Sequence, residues 1–420
     1  MLMGDSFIRV NILVKDFKEV FYKGEIIMRK LALLLGSLVV VASASAKEVV
    51  PAPVVVEEAP VQIVEKEVIV YRDKEEGFRP NGYVDLQYRW YGDTEGQNED
   101  YKGNKFADKA GYDSEGNKIN VGDETPGNKN WNTKNNYSRI QLLGKINMTE
   151  NQSLEYRVRT YDDLDKEDGR NSISGTDTRL RYFYNHGYLG DSKVNLTSRV
   201  HYRNYGHDDD SQELEYMARF NFAEYMFNSD FVKTTDFTVA PKYAYSWGDG
   251  NSSDYDNQIG ADLYTMHELP LGFSFEFNVY ATQHFYGQDQ YFDGGKTKED
   301  KNFTVDVEAY IYNTTNLYTN GNVSVDFNFE GGYDAYSWSQ EKKFGTKKWD
   351  AENKGAAGTD DTKYSLYALP TVQLNYQATP NVKLYAAAGA EYRDWAVANG
   401  NSATNWRWQP TVFAGFKTTF

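Results

Sequence analysis

The chain reads as an all-β protein, a transmembrane antiparallel β-barrel of about fourteen strands, with sixteen as the alternative count. Three observations predict this class. About fourteen stretches alternate apolar and polar residues with period two, the links between them alternate short and long, and the last alternating stretch ends on Phe420. In that stretch Val412, Ala414, Phe416, Thr418 and Phe420 fall on one face, which suits lipid, and Thr411, Phe413, Gly415, Lys417 and Thr419 fall on the other. A soluble β-sandwich could share this one amphipathic strand. The strands before it argue against that reading.

Composition sets the same limits. The 420 residues suffice for one large barrel, and 34 Tyr with 23 Phe suit strands and membrane-interface belts. Past the leader no uninterrupted apolar run is long enough for a membrane helix. Cysteine is absent, which excludes disulfides, thiolate metal sites and cysteine nucleophiles together. Net charge is −16; residues 1–46 hold six Lys/Arg against four Asp/Glu, so their removal takes it to −18. A chain this acidic is a poor partner for nucleic acid.

From the N-terminus, Met28-Arg29-Lys30 opens a positively charged region, Leu31 to Val41 form an apolar one, and Ala44-Ser45-Ala46 offers cleavage between Ala46 and Lys47. Residues 28–46 are therefore expected to be a secretory signal peptide. The apolar stretch is too short for a spanning helix and has no stop-transfer charges. Residues 1–27 precede a complete export signal and are expected to be an extension from a start codon placed too early. Residues 47–80, rich in Pro, Val and Glu, cannot build a core and read as a periplasmic linker. The spacing of Val61, Val64, Val68 and Tyr71 leaves a short coiled-coil turn set as an alternative.

The barrel is expected over 81–420. Alternation places strands at 82–91, 136–148, 152–162, 177–187, 192–203, 212–223, 236–248, 256–268, 272–284, 301–313, 321–335, 362–378, 381–394 and 405–420, each long enough to cross a bilayer when tilted. Thr149-Glu150-Asn151 and Ala378-Thr379-Pro380 are tight turns, whereas 92–135 and 336–361 are long links. Long links follow odd strands, so both termini are expected on the periplasmic side, with short turns there and long loops outside. The 224–235 link is long for its place, and its Phe227, Phe231 and Val232 could rest at the interface. Trp90, Trp247, Trp338, Trp395, Trp406 and Trp408 fall near the outer strand ends, where an aromatic girdle would sit.

Parity then assigns the interior. Strand one turns Val84, Leu86, Tyr88 and Trp90 outward and Asp85, Gln87 and Arg89 inward. The same logic turns Arg139, Arg157, Arg159, Arg179, Arg181, Arg199, Arg203 and Arg219 inward as a basic wall. Asp262, Glu276, Asp306, Glu308, Asp326 and Glu330 form an acidic wall opposite, with Val305, Val307, Phe327 and Phe329 facing lipid. Facing walls of opposite sign would set a transverse field across a water-filled pore. The alternative is that the charges pair between neighbouring strands, since Glu155, Glu213 and Glu215 interrupt the basic wall.

Catalytic and metal readings find little support. His186, His201, His207, His267 and His284 form no helix-borne metal pair and no serine elbow, and Ser198 differs in parity from His201. The acidic runs at 163–169 and 249–254 lack the glycine and glutamate of a calcium loop. No catalytic residue, metal or cofactor is expected, and loose divalent bridging of loops to lipopolysaccharide is the most these runs suggest.

The runs Met28-Arg29-Lys30-Leu31-Ala32-Leu33, Ala46-Lys47-Glu48-Val49, Val64-Glu65-Lys66 and Val70-Tyr71-Arg72-Asp73, together with Asn81 to Gly92, Asn136-Tyr137-Ser138-Arg139 and Thr149 to Glu155, resemble the fusobacterial major outer-membrane porin family. The resemblance covers essentially Met28 to Phe420. It implies a homotrimeric general-diffusion porin for small hydrophilic solutes that also meets host or bacterial surface partners through its loops. Phe416 and Phe420 likewise resemble the C-terminal signal read by the barrel assembly machinery, which implies insertion among outer-membrane lipid and lipopolysaccharide. A surface adhesin acting through its loops, 92–135 above all, is the competing function; the charged inward rows favour the porin.

Overall fold

The computed structural model describes residues 77–92, 110–112, 118–120, 136–164, 174–206, 210–248, 253–344, 348–350, 355–394 and 406–420. The expected export signal with Ala46 and Lys47, most of the 47–80 linker, Trp131 and Trp395 lie outside these residues.

Fourteen strands close one antiparallel barrel in chain order: β1 (Asn81–Tyr91), β2 (Tyr137–Asn147), β3 (Gln152–Asp163), β4 (Gly175–Tyr188), β5 (Asn195–Tyr205), β6 (Gln212–Asn221), β7 (Lys233–Trp247), β8 (Tyr255–Glu268), β9 (Phe273–Phe292), β10 (Thr297–Asn320), β11 (Val323–Ser339), β12 (Thr362–Thr379), β13 (Val382–Asp394) and β14 (Trp406–Thr419). Fourteen is the count that alternation gives; sixteen is excluded. Among the described residues no helix is long and apolar enough to cross a membrane. Closure leaves no unpaired sheet edge, which is the condition for placing strands in hydrocarbon.

The seam joins the two chain-terminal strands. β1 pairs with β14 from Tyr83 opposite Thr419 to Tyr91 opposite Thr411. Beyond the last ladder pair the Gly82 amide donates to the Phe420 carbonyl at 3.0 Å, and the Phe420 amide returns the bond to Gly82 at 3.1 Å. On the interior face of the seam Tyr385 lies over Gly415. A Cβ on Gly415 would sit 2.6 Å from the Tyr385 hydroxyl, which donates to Asp85 at 2.5 Å. The missing side chain is what lets the ring cross the seam.

Burial is inverted relative to a soluble core. The residues most withdrawn from solvent include Thr238, Asp262, Asn278, Asn302, Ser339 and Gln409, whereas Ile140, Leu180, Val200, Leu214, Ile259, Ile311, Val372, Leu374 and Val412 are exposed. Period-two alternation on a closed sheet does this: the polar set lines the inside and the apolar set faces out. At the short-turn end the rim is apolar as well. Leu189, Tyr225, Phe227 and Phe231 are exposed there, and Leu271 reaches 86%. The 224–235 link resolves into one 3-10 turn, Ala223–Tyr225, before β7.

Three expected bounds are corrected. β9 and β10 were expected to end at 284 and begin at 301, with a loop between; they run to Phe292 and from Thr297, joined by the tight turn Asp293–Gly295. The extension pairs Gln290 with Glu299 and Phe292 with Thr297 beyond a register shift at Phe285/Gln290. The polar runs Gly287-Gln288-Asp289-Gln290 and Lys298-Glu299-Asp300-Lys301 interrupt the alternation there, so it does not mark the extension, and backbone pairing carries the ladder onward. β10 likewise continues to Asn320 before the turn at Gly321, whose φ of +55° suits a glycine.

Candidate functional site

The interior of the barrel holds a cavity of about 1000 Å³ whose boundary is charged on both sides. On β3 to β6 it is lined by Arg157, Arg159, Arg179, Arg181, Arg199, Arg203 and Arg219; on β8 to β11 by Asp262, Glu276, Glu308 and Glu330. In a barrel of fourteen strands, β3 and β10 stand half a circumference apart, as do β4 and β11. Parity on each strand is the local cause, since these side chains occupy alternate positions and so share one face.

Register shows how the basic wall is built. Arg157 stands opposite Arg179 and Arg179 opposite Arg203, a row of three guanidiniums across β3, β4 and β5. The next row runs Glu155, Arg181, His201 and Glu215. Part of the wall pairs locally: Arg199 Nη2 donates to Glu215 Oε1 at 2.6 Å, Arg219 lies 3.4 Å from Asp236, Lys145 lies 3.5 Å from Glu155, and Lys242 lies 2.8 Å from Asp262. Arg157, Arg159, Arg179, Arg181 and Arg203 enter no ion pair among the described residues. The two sequence alternatives therefore divide the wall between them: local pairing holds on its β5–β8 side and between Lys145 and Glu155, and Arg157, Arg159, Arg179, Arg181 and Arg203 on β3 to β5 stand outside ion pairs.

The acidic wall carries tyrosine hydroxyls that sequence reasoning missed. Tyr280 donates to Glu308 at 2.7 Å, Tyr312 to Glu276 at 2.8 Å, Tyr264 to Asp262 at 2.9 Å, and Tyr367 to Glu330. Tyr310 and Tyr312 share the parity of Glu308, and that is the available signal; the abundance of tyrosine by itself suits strands and membrane-interface belts equally. Each phenol holds a carboxylate oxygen by a charge-assisted hydrogen bond; the other oxygen of Glu276 accepts from Asn278 at 2.7 Å, and that of Asp262 lies 2.8 Å from Lys242. Lys242 and Arg393 were missed too. Lys242 sits among the acids on β7, and Arg393 Nη1 donates to Asp334 at 2.7 Å while Arg393 also binds Glu391.

Four expected interior charges lie away from the cavity. Arg89 and Arg139 face inward nearer the long-loop end, where the Arg89 guanidinium stacks 4.3 Å from the Phe413 ring and Arg139 lies 5.7 Å from that of Tyr91. Asp306 keeps the face of Glu308 but stands opposite Tyr280 and Ser337. Asp326 lies four residues from Glu330 toward the short turns, held by Asn316 at 2.8 Å and Asn375 at 2.6 Å. Parity fixes a side chain's face and says nothing of its height, and four strand residues are about 13 Å. Of the six acids expected as one wall, Asp262, Glu276, Glu308 and Glu330 line the cavity and Asp306 and Asp326 do not.

On the outside, Trp90, Trp247, Trp338, Trp406 and Trp408 lie near the long-loop ends of their strands, on the face of the exposed apolar residues. Tyr245 stacks on Trp247 at 5.7 Å, and Tyr392 packs on Trp406 and Trp408 at 5.2 and 4.7 Å. Phe416 shares that face with Val412. Ser198 also points outward, as parity requires, and its partners are the His186 imidazole at 2.9 Å and the Tyr216 hydroxyl at 3.1 Å. His186 sits at the β-bulge between Asn185 and Gly187. Among the described residues no carboxylate orients this imidazole, so the pair is a hydrogen-bonded contact without the third member a nucleophilic serine needs. Inside, ligand atoms of His201, Glu213 and Glu215 come within 4.8 Å of one another. There the Arg199 guanidinium already occupies Glu215, as a cation would.

No family profile matches the chain, and no curated protein does. Among solved structures it is similar to the outer membrane channel DcaP of Acinetobacter baumannii, with 11% identity over 81% of this chain and 96% of that one at a TM-score of 0.34. It is also similar to OmpF of Salmonella typhi in complex with daunomycin, with 11% identity over 81% and 97% at a TM-score of 0.29. The outer membrane protein OmpT of Vibrio cholerae, in a trimer form, gives 9% identity over 81% and 99% at 0.31.

Proposed function

We propose that the chain is an outer-membrane porin, a water-filled channel through which small hydrophilic solutes and ions diffuse passively. One observation carries this reading: an apolar exterior encloses a cavity of about 1000 Å³ lined by guanidiniums on one side and carboxylates on the other. Unpaired guanidiniums in a barrel interior are tolerable only in contact with water or counterions, because isolated buried charge costs several kcal/mol. The apolar rim at Phe227, Phe231 and Leu271 and the tryptophans at the other end supply two interface belts, with the short turns in the periplasm. The export signal at 28–46, the linker at 47–80, a homotrimeric assembly, contacts with lipopolysaccharide and loop-borne surface partners belong to the same proposal and rest on the sequence. Purified protein in a planar bilayer is expected to raise conductance in discrete steps. A folded, heat-modifiable barrel that gives no steps and no liposome swelling would shift the reading to an adhesin.

Assembly gives a prediction of its own. Phe420 carries the terminal aromatic, and its bonds to Gly82 are main-chain bonds that a side-chain change leaves in place, so Phe420→Asn is expected to lower outer-membrane insertion severalfold through loss of the ring and to leave precursor in the periplasm. Cell fractionation measures this, and normal outer-membrane levels would contradict the assembly role.

A further inference from the structure

The row of Arg157, Arg179 and Arg203 closes no ion pair among the described residues, although Glu155, opposite Arg181, and Asp177, opposite Arg159, stand in the rows on either side of it. Like charges directly opposite on a β-ladder destabilise it, and here three stand in succession across neighbouring strands. Strands are about 4.8 Å apart, so the row spans about 10 Å of wall. Arg159 and Arg181 flank it two residues away, one on each side, and all five line the same cavity. Elsewhere on the wall the charges are matched by Glu215, Asp236 and Glu155. The carboxylate nearest in sequence pairing, Glu213 opposite Arg203, makes no ion pair with it; Arg203 instead stacks 3.9 Å over the Tyr205 ring. The Nε–H groups of Arg157, Arg181 and Arg203 are buried and meet no acceptor among the described residues.

These observations ask for a ligand with particular chemistry. A guanidinium offers five donors in a planar fork that matches the oxygens of a phosphate, and a site with several forks selects for more than one negative charge. Chloride, one charge with no directed acceptors, satisfies little of this. We propose that the arginine row on β3, β4 and β5 is a binding site for multiply charged phosphate-type oxyanions within the channel, one that holds such solutes transiently on their way through. This rests on the channel reading and names a solute class for it.

The test uses the purified full barrel in planar bilayers carrying chloride current, with inorganic pyrophosphate as the probe and orthophosphate as the singly tetrahedral comparison. Pyrophosphate is expected to reduce the chloride current in a saturable manner, orthophosphate less so, and raised potassium chloride to weaken both. R157Q/R179Q/R203Q is expected to raise the blocking concentration about tenfold or more, since the charged donors that would hold the oxyanion are lost. R157K/R179K/R203K keeps the charge without the forks and is expected to fall between, which separates directed binding from general attraction. Val158→Leu, on the lipid-facing side of β3, is expected to leave the block unchanged.

Heat-modifiable mobility in detergent confirms that each variant is folded, and the Lys variant keeps the comparison open should the Gln variant fold poorly. Chloride current that pyrophosphate leaves untouched overturns the oxyanion site and spares the channel. Should there be no current at all, calorimetric titration of pyrophosphate into the detergent-folded barrel decides the site separately. Heat of binding lost in the Gln variant supports it, and no heat overturns it.

Discussion

Replacing Arg157, Arg159, Arg179 and Arg181 by Gln is expected to make the channel markedly more cation-selective. The four line one patch of the cavity on β3 and β4 and enter no ion pair among the described residues, so their charge acts on ions in transit. A unit charge 4 Å from an ion changes its energy by about 1 kcal/mol even in bulk water, which is about fivefold in local concentration. At physiological salt the Debye length is about 8 Å, so the four together bias the ions near that wall. The reversal potential in a tenfold salt gradient reads the change as a shift toward the cation value. Leaving the glutamates intact, the variant isolates the basic wall.

Arg199 is expected to behave differently from those four, because its charge is already used. Its side chain is 5% exposed and that of Glu215 is 8% exposed, with the pair closed at 2.6 Å and His201 Nδ1 3.6 Å from the same carboxylate oxygen. Arg199→Met leaves Glu215 uncompensated in a low-dielectric setting. The expected cost is about 3–5 kcal/mol, the usual penalty for removing one partner of a buried ion pair. Urea unfolding of the detergent-folded barrel measures it, and Arg199→Met with Glu215→Gln is expected to recover most of the loss, since no buried charge remains. A cost below about 1 kcal/mol would mean that Glu215 is hydrated in place and the pair behaves as a surface one.

The contrast between Arg199 and Arg157 shows how far the sequence could be read. Both are inward by parity, and parity is legible because a one-residue slip would turn every side chain of a strand to the wrong face. For the same reason all fourteen strands, their antiparallel order, the inward set and the short-turn end are legible, with β1 and β14 closing the sheet. Pairing is not: Arg203 and Arg199 each face a residue of β6, Glu213 and Met217, yet it is Arg199 that reaches across to Glu215 while Arg203 stacks on Tyr205. Side-chain rotamers decide between these, and alternation carries no information about them. Height along the barrel is equally hidden, which is why Asp306 and Asp326 were grouped with Glu308. The tyrosines bound to Glu276, Glu308 and Glu330 escaped because one residue type serves both interface belts and interior hydrogen bonds. The pair of Ser198 with His186 escaped for a geometric reason, since the bulge at His186 alters which residues of β4 and β5 meet.

The charged cavity as the determinant of passage is tested most directly by reversal potentials measured on matched variants of its two walls. Glu276, Glu308 and Glu330 line the same cavity as the arginines from strands across the barrel. Their replacement by Gln is expected to move the reversal potential toward the anion value, opposite in sign to the arginine set, and combining the two sets is expected to return it toward the unmodified protein. Displacement of both sets in the same direction, or of neither, would contradict control of passage by the two facing walls.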